Sequence, residues 1–171
     1  VTVNAVATRD FAVNRFVSAT ALPVIGFALL TAVGALVRIP LPFTPVPLTL
    51  QTLAVMLAGF ALSPRAAFAS QAVYVIAGLA GLPFLAAAGS GTIGYLAGFV
   101  VAAPAVSVIS ARFGRLSACV AGTVLIHAFG CAGLVLVGIP FGLPMLVAGS
   151  LPFLPGDLLK AAVAARIGAR S

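Results

Sequence analysis

The run Ile93-Gly-Tyr-Leu-Ala-Gly-Phe-Val-Val-Ala-Ala-Pro-Ala-Val-Ser-Val-Ile-Ser110 is followed, after Arg112-Phe-Gly-Arg115, by Leu116-Ser-Ala-Cys-Val-Ala-Gly-Thr-Val-Leu-Ile-His127-Ala-Phe-Gly-Cys131-Ala-Gly-Leu-Val-Leu-Val137. Both runs approach the roughly 20 apolar residues that a helix needs to cross hydrocarbon. Neither alternates apolar with polar, as the strands of a membrane barrel do. Two arginines and a glycine divide them. The pair reads as two membrane helices joined by a polar turn.

Composition extends that reading to the whole chain. Of 171 residues 63% are hydrophobic and 6% are charged, with 9 basic and 2 acidic side chains and neither Glu nor Trp. A soluble domain carries about 25% charged residues, so a water-facing surface built from so few would leave large apolar patches. Disorder requires low hydrophobicity, and the 18 glycines follow no triplet period. The expected class is an all-α integral membrane protein. The net charge of +7 is scattered singly or in pairs. That argues against nucleic acid and makes anionic lipid headgroups the natural counter-charge.

Further apolar runs lie at about 18–37, 48–62, 66–82 and 152–168, giving six expected spans with 93–110 and 116–137. Proline, glycine and arginine mark the breaks: Pro40-Leu-Pro-Phe-Thr-Pro-Val-Pro47, Ser63-Pro64-Arg65, Gly89-Ser-Gly-Thr-Ile-Gly94 and Gly138-Ile-Pro-Phe-Gly-Leu-Pro144. With six spans and both termini cytoplasmic, the inner segments hold Arg9, Arg15, Arg65, Arg112, Arg115, Arg166 and Arg170, and the outer ones hold Arg38. Seven against one follows the positive-inside rule. Residues 1–17 are then an N-terminal cytoplasmic segment, 138–151 an outer connection with a short surface helix, and 1–171 a single membrane domain. No cleavable signal peptide is expected, because the first apolar run continues into a full span.

Catalytic chemistry has little to work with. There is no phosphate-loop motif. The acids, Asp10 and Asp157, make no Ser/His/Asp grouping. His127 and Cys131, one turn apart, are too few for a metal site, and a hydrogen bond between helices suits His127 better. Cys119 and Cys131 would stand about 18 Å apart along a helix, too far for a disulfide. We expect no enzyme, no cofactor and no metal.

The most informative segment is Pro152-Phe-Leu-Pro-Gly-Asp157-Leu-Leu-Lys160. Asp157 and Lys160 share a helix face at i,i+3, and either would be costly unpaired in hydrocarbon. They form either a structural ion pair or a site for a ligand with hydrogen-bond donors and an anionic group. Tyr95 can stack and hydrogen-bond, and Ser90 and Thr92 offer small polar groups. Tyr74, Gln71 and Gln51 suit interhelical hydrogen bonds as well as ligand contact. Arg38 can snorkel to headgroups. Small-residue pairs at packing spacing occur at Ala28/Ala32, Gly94/Gly98 and Ala161/Ala165.

These residues also resemble a known family. Ile39-Pro-Leu-Pro, Pro45-Val-Pro-Leu-Thr-Leu-Gln51-Thr, Leu57-Ala-Gly, Tyr74-x-x-x-Gly78-Leu-Ala-Gly-Leu-Pro83-Phe, Gly94-Tyr95-Leu-Ala-Gly-Phe99 and the Asp157–Lys160 segment are together similar to the BioY proteins. These are the biotin-specific S components of energy-coupling-factor transporters. The resemblance spans roughly residues 25–165. It implies a six-helix bundle in the bacterial cytoplasmic membrane that captures biotin from outside. ATP hydrolysis would belong to two ATP-binding-cassette ATPases coupled through a transmembrane T component. By motif, Asp157 would bind the ureido ring and Lys160 the valerate carboxylate, with Tyr95 lining the pocket. Ala28 and Ala32 would dock on the T component. The segment from Leu85 to Gly94 lacks the family's Gly-Pro-Thr before Gly-Tyr and is shorter, which bears on Gly89, Ser90 and Thr92 as contacts. The asparagine and arginine some members use have no evident counterpart. Alternatives are a stand-alone homo-oligomeric biotin facilitator, an S component for another small vitamin, or a non-transporting scaffold.

Overall fold

The computed structural model describes residues 3–82 and 90–167. It is all-α apart from one small ribbon. The elements are α1 (Val3–Leu36), β1 (Arg38–Ile39), β2 (Leu48–Thr49), α2 (Gln51–Ala61), α3 (Pro64–Leu79), a 3-10 turn at Ser90–Thr92, α4 (Ile93–Leu136), α5 (Leu143–Gly149) and α6 (Leu154–Ile167).

Local chemistry explains the boundaries. The four prolines between Pro40 and Pro47 deny the backbone helical hydrogen bonds. The flanking residues pair instead as an antiparallel ribbon, Arg38 opposite Thr49 and Ile39 opposite Leu48. Leu50 N donates to Gly34 O at 3.2 Å, which closes the ribbon onto α1. Gly34 is required there, since a Cβ would stand 3.0 Å from the Leu50 carbonyl carbon. Ser63, extended at φ −60° and ψ 156°, caps α3 by accepting from Ala66 N, and Pro64 occupies the first turn. Ser63→Ala should cost about 1 kcal/mol of stability, read as a lower midpoint in thermal unfolding of the detergent-purified chain.

As one rod, the 44 residues of α4 would measure ~66 Å, about twice a hydrocarbon core. The helix breaks at Gly114, whose φ of 82° and ψ of 169° lie where side-chain-bearing residues are strained. The two arms then fold back on each other. A Cβ on Gly94 would collide with Phe129 and Gly133, one on Gly98 with Ile126, and one on Gly122 with Val106. These pairings centre on Gly114, as an antiparallel hairpin requires. The arms pack with α2 and α3 around Val55, Ala67, Ala102, Ala103, Val106 and Ile126.

The outer surface is apolar, with Leu22, Leu79, Leu116, Leu136, Phe141 and Leu158 all exposed. Among the described residues α4 is long and apolar enough to cross a membrane, and α5 with α6 together form a second candidate bent by 48°. Two elements depart from the sequence expectation. α1 starts at Val3, inside the expected N-terminal segment. α2 has 11 residues, or ~16 Å, because the ribbon takes the start of the 48–62 run.

Candidate ligand-binding site

The first turn of α6 supplies the centre of the site. Asp157 and Lys160, i and i+3, are 6% and 9% exposed. Lys160 Nζ donates to Asp157 Oδ1 at 2.8 Å and to Thr52 Oγ1 at 3.1 Å. Thr52, in the first turn of α2, donates to the same Oδ1 at 2.9 Å. From the second arm of α4, His127 Nε2 faces Asp157 Oδ2 at 2.9 Å, and Nδ1 faces Gly149 O at 3.1 Å. A carbonyl oxygen only accepts, so Nδ1 carries hydrogen. The contact between Nε2 and Oδ2 then needs one shared proton, on the imidazole or on the carboxyl.

Tyr95, from the first arm of α4, donates to the same Gly149 oxygen. The last carbonyl of α5 is therefore gripped by both arms of the hairpin. The rings of Tyr95, His127 and Phe153 cluster there with centroids 6.3 Å apart. Thr44, in the proline-rich loop, donates to Ala148 O, so α5 is tied down on two sides.

A partly open cavity lies beside this cluster. Phe99, Ile126 and Phe153 give it apolar walls, and Asp157, Lys160 and His127 line one part of it. Arg38, Thr49, Gln51 and Tyr74 form a second polar group in its wall. There Thr49 Oγ1 donates to Gln51 Oε1 at 3.0 Å, and Gln51 Nε2 donates to the Tyr74 hydroxyl oxygen at 2.7 Å. Thr92 also lines the cavity. Its buried hydroxyl has no hydrogen-bond partner among the described residues, which suits a polar group arriving with a ligand.

The cavity thus brings together Asp157, Lys160, Tyr95, Thr92 and Tyr74. Ser90 belongs to the 3-10 turn, but its side chain lies outside the described residues, as does Gly89 altogether. Gln71 bonds Thr31 and Ser70 between α1 and α3 and does not line the cavity. Asp157 and Lys160 touch one another and form a single polar pole. Ala28 and Ala32, expected to dock a partner, are turned inward, 5% and 8% exposed within the chain's own core. The outward face of α1 carries Leu22, Ile25, Leu29 and Val33. Sequence reasoning missed Thr52, His127 and Arg38 as residues of this site. His127 reaches its acceptors 22 and 30 positions away, which no local pattern encodes. Arg38 is drawn into the cavity wall by the ribbon.

Known proteins share this architecture and sequence. The BioY family model matches residues 7–171. The chain is 40% identical over 151 residues to a probable biotin transporter BioY of Bacillus subtilis (strain 168), covering 81% of each chain. It is 33% identical over 161 residues to the biotin transporter BioY of Rhizobium etli, covering 82% of this chain and 86% of that one. A crystal structure described as the S-component for biotin from an ECF-type ABC transporter superposes with a TM-score of 0.78 at 24% identity, covering 92% of each chain. That likeness establishes the fold.

Proposed function

The chain belongs to the BioY family, and we propose that it is a biotin-capturing S component of an energy-coupling-factor transporter. It is a membrane protein that binds and delivers rather than one that transforms its ligand. One observation carries this reading: a buried, hydrogen-bonded Asp157–Lys160–His127–Thr52 pole at an apolar-walled cavity that also holds the Thr92 hydroxyl, which has no hydrogen-bond partner among the described residues. Biotin's fused rings and alkyl chain match the apolar walls. Its ureido ring offers two N–H donors and a carbonyl acceptor. Asp157 accepts from an N–H, and Lys160, with a third proton left, donates to the carbonyl.

In this reading α1, α2, α3, the two arms of α4 and α6 cross the bacterial cytoplasmic membrane, with both termini inside. Arg65 at the α2–α3 turn, Arg112 and Arg115 beside Gly114, and Arg166 at the end of α6 then face the cytoplasm. The cavity residues come from the opposite ends of the same segments: the end of α1, the starts of α2, α4 and α6, and the end of α3. Capture therefore occurs on the outer side. Inward release requires a second state in which the pole loses its ligand. A T component and two ATPases supply the energy, and this chain supplies none.

Isothermal titration of the detergent-purified chain with biotin tests the reading. Sub-micromolar binding with one ligand per chain is expected, with riboflavin and thiamine silent. Folded protein that ignores biotin but binds another vitamin would overturn it.

A further inference from the structure

The pole on α6 accounts for one end of an amphipathic anion and leaves the other end without an anchor. Asp157 and Lys160 are hydrogen-bonded at 2.8 Å. Two of the three Lys160 protons are directed at Asp157 and Thr52. A biotin molecule separates its ureido ring from its carboxylate by a fused ring and a four-methylene chain, so a single pole cannot hold both ends of the extended ligand. Among the described residues the cavity wall contains one further charged side chain, Arg38. No acidic partner lies within ion-pair distance of it among the described residues, where Asp157 is the acid in both ion pairs. The antiparallel ribbon sets Arg38 opposite Thr49, whose hydroxyl bonds Gln51, which in turn bonds Tyr74. A partly buried cation in the wall of an apolar-walled cavity, beside hydrogen-bonding side chains, is what a carboxylate at the end of an alkyl chain requires.

We infer that Arg38 is the carboxylate-binding residue of this site and fixes the direction in which the ligand lies, ureido ring at Asp157 and carboxylate at the ribbon. The assignment rests on the biotin reading above and replaces Lys160 in that role. It makes the ribbon part of the binding site: Arg38 is held in place by cross-strand pairing, so the proline-rich loop between the strands positions a ligand contact.

Two ligands separate charge recognition from general binding: biotin, and biotinamide, in which a neutral amide replaces the carboxylate. Each is titrated into wild type, Arg38→Gln, Arg38→Lys and Lys160→Gln. Wild type should prefer biotin. Arg38→Gln should weaken biotin by roughly 10- to 100-fold, the range for loss of a charge-assisted hydrogen bond, while biotinamide affinity stays within about twofold. Arg38→Lys, which keeps the charge but loses the planar fork, should retain part of the preference. Lys160→Gln should weaken both ligands alike. The assignment is overturned if Arg38→Gln weakens the two ligands equally. It is also overturned if the preference persists in Arg38→Gln and disappears in Lys160→Gln. A wild type that binds neither ligand refutes the biotin reading itself and this assignment with it; the other outcomes arise only when biotin binds, so the two failures are told apart.

Discussion

Replacing Asp157 by asparagine should reduce biotin affinity by on the order of 100- to 1,000-fold, the largest single-residue effect expected in the binding site. The carboxylate accepts from Thr52 and Lys160 through Oδ1 and meets His127 through Oδ2. The other acid in the chain is Asp10, near the start of α1. Asparagine preserves shape and can still accept one of these bonds, but it leaves the Lys160 ammonium buried without a counter-charge. Breaking a buried pair from one side costs about 3–5 kcal/mol, and Lys160 escapes that cost only by moving away from the ligand or losing its proton. Either change removes the donor to the ureido carbonyl. The double variant Asp157→Asn/Lys160→Met separates the two effects. Removing the orphaned charge should restore the thermal midpoint toward wild type without restoring affinity. A single variant that binds within a few-fold of wild type would mean that Asp157 is a structural strut and that the ligand lies elsewhere.

The residues that were legible in the sequence are those whose presence is costly. Asp157 and Lys160 stand out because hydrocarbon penalises each of them alone. Gly114 stands out because two apolar runs meet at a polar tetrapeptide containing the one residue type that tolerates φ near 82°. The all-α class follows from run length alone. Other features were not legible, for physical reasons that can be named. In a bilayer the lipid-facing and core-facing sides of a helix are both apolar, so hydrophobicity does not say which side of α1 turns inward. The small-residue face with Ala28 and Ala32 went to the core, and the leucine face went out. The ribbon was hidden because two paired residues on each side carry no periodicity. Its position depends on where Gly34 lets the chain return against α1. Hiding the ribbon also hid Arg38, which by sequence alone is a headgroup arginine. His127 was visible as a buried polar group, but its value lies in joining Gly149 of α5 to Asp157 of α6, a relation set by packing.

The same hairpin geometry predicts a large stability effect at Gly94. Its Cα lies against the backbone of the second arm, so that an added Cβ would press on Phe129 O and stand 2.8 Å from Gly133 Cα; a Cβ on Gly133 would stand 2.7 Å from Gly94 Cα. Both obstacles are main chain within helices, so neither can swing aside. Gly94→Val must therefore drive the arms apart, at a cost of about 3 kcal/mol or more, the upper range for overpacking. Because Tyr95 follows Gly94 on one arm and His127 sits on the other, separation also breaks their shared hold on the Gly149 oxygen. Binding and stability should fall together, measured as biotin titration and as the denaturation midpoint in mixed detergent. Gly26→Val is the matched control: an added Cβ there meets nothing within 4 Å, so the change should stay within about 0.5 kcal/mol. Equal behaviour of the two variants would refute backbone contact between the arms. A large loss at Gly94 alone would mean that the site depends on how closely two glycines allow one helix to fold back on itself.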